Sequence, residues 1–175
     1  MSFGAVGMVI GSVIMSSWKG PERLVRGLLI AVIPLGLGMM LMGLRPSVPF
    51  VTGAAFLGFA AMPFGNSFSQ ALWQRKVDPD VQGRVFAVRR TLGGITGPAA
   101  LIAAGPLLDL VFEPALADGG SLAGSVGAII GTGPGRGAGF MMILMGAAAI
   151  LVSVVAYSYP RLRYLEDELP DAISS

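Results

Sequence analysis

The stretch from Gly137 to Pro160, GAGFMMILMGAAAILVSVVAYSYP, contains no charged residue and is bounded by Arg136 and Arg161. A helix needs about 20 residues to cross a hydrocarbon core roughly 30 Å thick, and this stretch is long enough to do so. A charge at the centre of such a helix costs about 2.5 to 3.5 kcal/mol, so charges should mark the ends of membrane spans. The stretch therefore predicts a transmembrane helix.

The rest of the chain follows the same pattern. Hydrophobic residues make up 54% of it, its mean hydropathy is +0.74, and only 13% is charged, whereas soluble domains carry about 25% charged residues. Four more uncharged runs lie before Gly137 in the chain: Met1–Trp18, Gly27–Leu44, Pro46–Gln74 and Thr91–Leu108. We predict an all-α polytopic integral membrane helix bundle with about five transmembrane helices, at residues 1–18, 25–44, 48–72, 88–110 and 138–159.

The segments between the spans predict the orientation. Residues 112–136 are rich in glycine and predict an extracellular loop, with one short surface helix near Val126–Ile130. Only Arg45 and Arg136 lie on that side, whereas ten basic residues lie on the other: Lys19, Arg23, Arg26, Arg75, Lys76, Arg84, Arg89, Arg90, Arg161 and Arg163. The positive-inside rule then places the tail, residues 161–175, in the cytoplasm and the N-terminus on the extracellular side of the cell (inner) membrane.

The composition also excludes most chemistry. Histidine and cysteine are absent, which removes the usual zinc and haem ligands, thiol chemistry and imidazole catalysis. We therefore expect no catalytic residue, no metal and no cofactor, and an intramembrane enzyme is a weak alternative. A net charge of +2 gives no basic surface for nucleic acid. No carboxylate lies in the middle of a span, so the sequence does not reveal a group for coupling to protons.

The third span carries the densest polar cluster. Asn66, Gln70 and Trp73 follow one another at spacings of four and three residues, so they share one helix face. Polar groups facing lipid cost free energy, so this stripe should face protein or water. It could line a cavity for a transported solute, or it could form hydrogen bonds between helices, worth about 0.6 to 2 kcal/mol each.

Asp78 and Pro79 predict a helix N-terminus, with Asp78 as the cap. Shortly after it, Gly83, Arg84 and Arg89 form a candidate latch, in which the glycine permits a close approach to another helix end and an arginine binds carbonyls or a carboxylate there. The alternative is that these arginines anchor the topology and contact lipid headgroups.

Two pairs of glycines are spaced four residues apart. Gly7 with Gly11, and Gly93 with Gly97, are small-residue pairs that let helix backbones approach closely. We expect all four to serve helix packing, and a sliding or gating surface is the alternative.

Several motifs together resemble one family of transporters. Residues 70–77, QALWQRKV, residues 78–87, DPDVQGRVFA, and the pair Arg89-Arg90 resemble the link between the tenth and eleventh helices of major facilitator superfamily exporters of the macrolide-efflux and siderophore-exporter type. Residues 105–109, GPLLD, and 166–171, EDELPD, are also similar. Residues 17–24, SWKGPERL, take the place of the family's loop motif, although its aspartate is not recognisable. The resemblance runs from about Gly4 to Ala172.

The resemblance implies a partial major facilitator fold in which the five spans correspond to helices eight to twelve of a twelve-helix transporter. It also implies secondary active efflux of a small amphipathic molecule such as a drug, macrolide or siderophore, driven by an ion gradient. Asn66, Gln70 and Trp73 would line the cavity, and Gly83 and Arg84 would help to latch the cytoplasmic side. The expected partners are the lipid bilayer, the small-molecule substrate and the missing N-terminal half. The alternative is a truncated, non-transporting membrane fragment or an interaction subunit that requires a partner half.

Overall fold

The computed structural model describes residues 3–18, 20–168 and 171–172, in which it places helices and no strand. Lys19 and residues 1–2, 169–170 and 173–175 of the predicted segments lie outside the described residues. The helices are α1 (Phe3–Ser17), α2 (Leu24–Leu44), α3 (Val48–Lys76), α4 (Pro79–Leu107), α5 (Glu113–Leu116), α6 (Gly127–Ile130), α7 (Arg136–Ser158), α8 (Pro160–Arg163) and α9 (Leu165–Glu168). A π-helical turn at Leu108–Phe112 joins α4 to α5 without a break. The prediction of an all-α bundle is confirmed.

Four of the described helical segments are long and apolar enough to cross a membrane: α2, α3, the continuous helix Pro79–Leu116, and α7. The described part of α1 has 15 residues, which is shorter than the roughly 20 that a span needs, so a fifth span stays a prediction. The predicted cap at Asp78 is confirmed, because its Oδ1 atom accepts a hydrogen bond of 3.0 Å from the amide of Asp80 and α4 begins at Pro79. α5 extends into the glycine-rich segment, and α6 lies where a short helix was expected.

The centre of the bundle is α2, which packs against α3 and α7. Glycines face glycines at these crossings, with Gly38 on Gly58 of α3, and Gly36 on Gly146 and Gly43 on Gly139 of α7. A Cβ atom on Gly36 would lie 2.7 Å from the backbone oxygen of Gly146, so no larger side chain fits without moving backbone. Near the other end of this crossing, the hydroxyl of buried Ser153 donates a 2.7 Å hydrogen bond to the backbone oxygen of Leu29.

α1 packs on α3 in the same way. A Cβ atom on Gly7 would lie 2.7 Å from the backbone oxygen of Phe56, and one on Gly11 would collide with the backbone oxygen of Ala60. This geometry agrees with a packing role for Gly7 and Gly11, because only glycine lets the two backbones come so close.

α4 differs from the other long helices because none of its residues is buried. Leu101 and Ile102 are 75% and 76% exposed. The accessible surface of the chain is 11092 Å², against the roughly 8,000 Å² expected for a compact soluble protein of this mass. Apolar surface of this extent is stable only against lipid tails or further helices, and the chain is therefore a transmembrane protein.

We predict that Gly36→Val lowers the free energy of unfolding by about 1 to 3 kcal/mol, because the new side chain meets the backbone oxygen of Gly146 and the side chain of Ile150. The matched control is Gly53→Val, since a Cβ atom there meets nothing within 4 Å. Both variants can be compared by circular dichroism during unfolding in sodium dodecyl sulfate. Equal losses for the two variants would show that helix propensity, and not the crossing, causes the effect.

Candidate functional site

The polar stripe of α3 lies on a face that the bundle leaves open. Asn66, Gln70 and Trp73 are all exposed, with 40% of Trp73 accessible. The opposite face of α3 is buried through Ala54, Ala61 and Phe68, which pack among α1 and α2. The amphipathic division expected from the sequence therefore places the stripe away from the packed helices.

Arg89 of α4 crosses to this stripe. Its Nη2 atom donates a 2.6 Å hydrogen bond to the Ser69 hydroxyl, and its Nη1 atom donates a longer one of 3.5 Å to the Gln70 side-chain oxygen. The guanidinium carbon also lies 5.6 Å from the centroid of the Trp73 ring, within the range of a cation–π interaction. The structure thus brings a candidate latch residue, Arg89, onto two of the three candidate cavity residues.

Arg89 stands between two clefts of different chemistry. One has a volume of about 570 Å³ and a mixed polar and apolar lining, and its lining residues are Asn66, Ser67, Gln70, Ala71, Gln74 and Arg89. The other, of about 390 Å³, is almost wholly apolar apart from its two arginines, and its lining residues are Trp73, Arg84, Val85, Val88, Arg89 and Leu92. A mixed cleft and an apolar cleft therefore meet at one guanidinium, an arrangement suited to binding an amphipathic molecule. Among the described residues, no group of three or more acidic, histidine or cysteine side chains could hold a metal ion.

The singled-out glycines on α4 have no close neighbours on other helices. A Cβ atom on Gly83, Gly93 or Gly97 would meet nothing within 4 Å. These glycines lie on a helix without buried residues, so their roles in latching and packing stay predictions. The turn into α4 is instead held by Gln82, whose side-chain amide donates hydrogen bonds of 3.1 and 2.9 Å to the backbone oxygens of Gln74 and Val77.

The polar and acidic composition of the C-terminal tail predicts a loosely ordered, solvated end, but its described residues pack against the ends of other helices. The two carboxylate oxygens of Glu166 accept hydrogen bonds of 3.0 and 2.9 Å from the amides of Leu24 and Val25, the first two residues of α2. Arg23, the residue before them, makes no such bond with its own side chain. Glu166 therefore caps α2 from more than a hundred residues away and complements the positive end of its helix dipole.

The tail is also joined to the end of α3. Lys76 Nζ donates a 2.9 Å hydrogen bond to the backbone oxygen of Glu166 and lies 2.9 Å from Asp171 Oδ1, while Arg75 Nη2 lies 3.1 Å from Asp171 Oδ2. The hydrogen bond from Lys76, with a smaller contribution from Arg75, holds the pKa of Asp171 below its usual value of 3.8, although partial removal from water opposes this. These contacts, from Glu166 and Asp171 to α2 and α3, are called the tail clasp below.

Sequence reasoning missed the tail clasp. Two features of the sequence could have predicted it. α2 is a long helix without a capping side chain at its own start, and an acidic tail is expected at the same end of the bundle.

The uncovered apolar helices define a membrane protein with several spans, and the chain is similar to known efflux proteins of the membrane. Macrolide efflux protein A of Streptococcus pyogenes is 27% identical over 101 residues, which are 56% of this chain and 25% of that protein. Macrolide efflux protein A of Enterococcus faecalis is 26% identical over 100 residues, 55% of this chain and 31% of that protein. Multidrug efflux pump Tap of Mycolicibacterium fortuitum is 30% identical over 110 residues, 62% of this chain and 26% of that protein.

These relatives confirm the resemblance to efflux transporters of the major facilitator type. The matched part of the chain spans about a quarter to a third of the length of each relative. No family model matches the chain, and no solved structure matches it.

We predict that Glu166→Ala speeds hydrogen exchange at the amides of Leu24 and Val25 by about fivefold or more, because each loses an acceptor whose net worth is roughly 1 kcal/mol. Glu168→Ala is the matched control, since the side chain of this exposed neighbour makes no hydrogen bond or ion pair among the described residues. Hydrogen exchange read by mass spectrometry on peptides covering residues 20–30 measures the effect. Unchanged exchange in Glu166→Ala would mean that the tail does not cap α2.

Proposed function

We propose that the chain forms part of a secondary active transporter that exports a small amphipathic molecule across the cell membrane, driven by an ion gradient. The observation that carries this proposal is the polar stripe of α3, which is joined to α4 through Arg89 and open to a mixed and an apolar cleft. The relatives are named for efflux of macrolides and of multiple drugs, and a site with both kinds of lining agrees with substrates of that amphipathic kind.

Two further features complete the proposal. The open clefts and the uncovered face of α4 would be closed by helices that this chain does not supply, so that the substrate path forms between two halves. Gly83, Arg84 and Arg89 would then hold the transporter closed on the side of the membrane where α4 begins, since they lie in the first eleven residues of that helix. We assign this side to the cytoplasm, because most basic residues lie there.

We predict that Asn66→Ala and Gln70→Ala each reduce efflux by about fivefold, the effect of losing one hydrogen bond worth roughly 1 kcal/mol to the substrate. Cells that express the complete protein would be tested with a labelled macrolide, a neutral amphipathic dye and an aromatic acid. Thr52→Ala, near the opposite end of α3, is the matched control. If both variants are expressed normally and export all three solutes at unchanged rates, the polar stripe serves helix packing and does not bind the substrate.

The predicted orientation can be tested by labelling single introduced cysteines, because the chain contains no cysteine of its own. Ser125→Cys, in the glycine-rich segment, should react in intact cells with a maleimide that does not cross membranes. Glu168→Cys, in the tail, should react only after the cells are permeabilised. The reverse pattern would invert the assigned topology.

A further inference from the structure

The charge of Arg89 has no opposite charge beside it. Its described partners, Ser69, Gln70 and Trp73, are all neutral. α3 and the preceding turn carry no acidic residue between positions 46 and 74, and α4 carries none between 81 and 108. Within the described part of the chain Arg89 therefore forms no ion pair.

The next residue in the chain, Arg90, differs from Arg89 in its surroundings. Arg90 is exposed, whereas Arg89 is half-buried and turned onto the polar stripe. An arginine that only anchored the helix at a membrane surface would have no need of hydrogen bonds to Ser69 and Gln70, because water and headgroups would solvate it. The position of Arg89 thus favours a binding role over simple anchoring.

The two clefts specify what such a binding site would accept. On one side, Asn66, Ser67 and Gln74 offer hydrogen bonds to a polar group. On the other, Val85, Val88 and Leu92 offer apolar surface, and Arg84 adds a second positive charge. A ligand that bridges the clefts would place an acidic group at the guanidinium and an apolar body against these side chains.

We propose that this site selects amphipathic organic acids, whose carboxylate, sulfonate or phosphate group binds Arg89. The inference rests on the proposed export function and narrows it to a substrate class. A planar guanidinium binds such oxyanions through paired, charge-assisted hydrogen bonds, and a cation with the same apolar body would bind more weakly. An anionic phospholipid shares this chemistry, so the experiment separates a solute from a lipid headgroup.

The test uses Trp73 as the reporter. The chain has two tryptophans, so Trp18→Phe leaves only the one that stacks near Arg89 and keeps an aromatic ring against Phe64 and Phe68. The chain in phosphatidylcholine nanodiscs is titrated with pyrenebutyrate, pyrenebutanol and pyrenebutyl-trimethylammonium, and energy transfer from Trp73 to pyrene is followed. Affinities are compared from the midpoint of each titration, because the amplitude also depends on the fluorescence yield of Trp73.

We expect saturable binding of the acid, about tenfold tighter than that of the ammonium compound, and an about tenfold loss in Arg89→Gln. Arg89→Lys should keep the preference for the acid with weaker binding, since it keeps the charge but loses the paired geometry. Arg90→Gln changes the net charge equally and should bind as the parent does. Circular dichroism of each variant verifies that the helices are retained.

Three results would overturn the inference: equal affinity for acid and ammonium compound, no effect of Arg89→Gln, or the same loss in Arg90→Gln. A lipid occupant is tested by adding phosphatidylglycerol to the nanodiscs. If the ratio of affinities between the parent and Arg89→Gln then falls to about one, a lipid headgroup holds Arg89 and the solute assignment is wrong. A preserved ratio supports the solute.

Binding by this chain is measured without any transport, so the two proposals can fail separately. Selective binding of the acid without efflux in cells would overturn the export function alone. Efflux of a macrolide with no preference for acids in the binding assay would overturn the substrate class alone.

Discussion

The close approach of the α2 backbone to α3 and α7 is the constraint on which the rest of the structure depends. Lipid tails are as apolar as leucine, so membrane helices gain little from burying large side chains and associate instead through tight backbone packing. Glycines at both crossings allow this approach. Because α3 uses one face for α2 and another for α1, its polar stripe remains available for a ligand or for α4.

α2 and α7 pack antiparallel to each other, and a carboxylate from a distant segment stabilises the start of each helix. Glu166 caps the start of α2, and Glu113 accepts hydrogen bonds of 3.2 and 3.3 Å from the amides of Gly135 and Ala138 at the start of α7. These two helix starts lie at opposite ends of the bundle, because the helices are antiparallel. Each cap satisfies amides that would otherwise lack a partner and also fixes the segment that supplies it. The tail and the start of the glycine-rich segment are thereby tied to the core.

The sequence allowed the helices to be predicted because membrane spans are selected by local hydropathy and bounded by charge, as at Asp78 and Pro79. The polar stripe was also predictable, since one helical period relates Asn66, Gln70 and Trp73. The contact of Arg89 with this stripe was not, because it depends on how α4 turns back beside α3 at Gln82. The clasp escaped prediction for a similar reason, since Glu166 and Leu24 meet only after α2 and α7 have packed.

The proposed binding of an acid would compete with a structural role of Arg89, whose side chain joins the first half of α4 to α3. α4 buries no residue of its own, so few other contacts resist its displacement, and segments of this kind lie at the low-stability end of a structure. An acid bound at the guanidinium would take donors now given to Ser69 and Gln70. Ligand binding would then weaken the link between α4 and the bundle, and a ligand shifts a helix only by such a difference in affinity between its two positions.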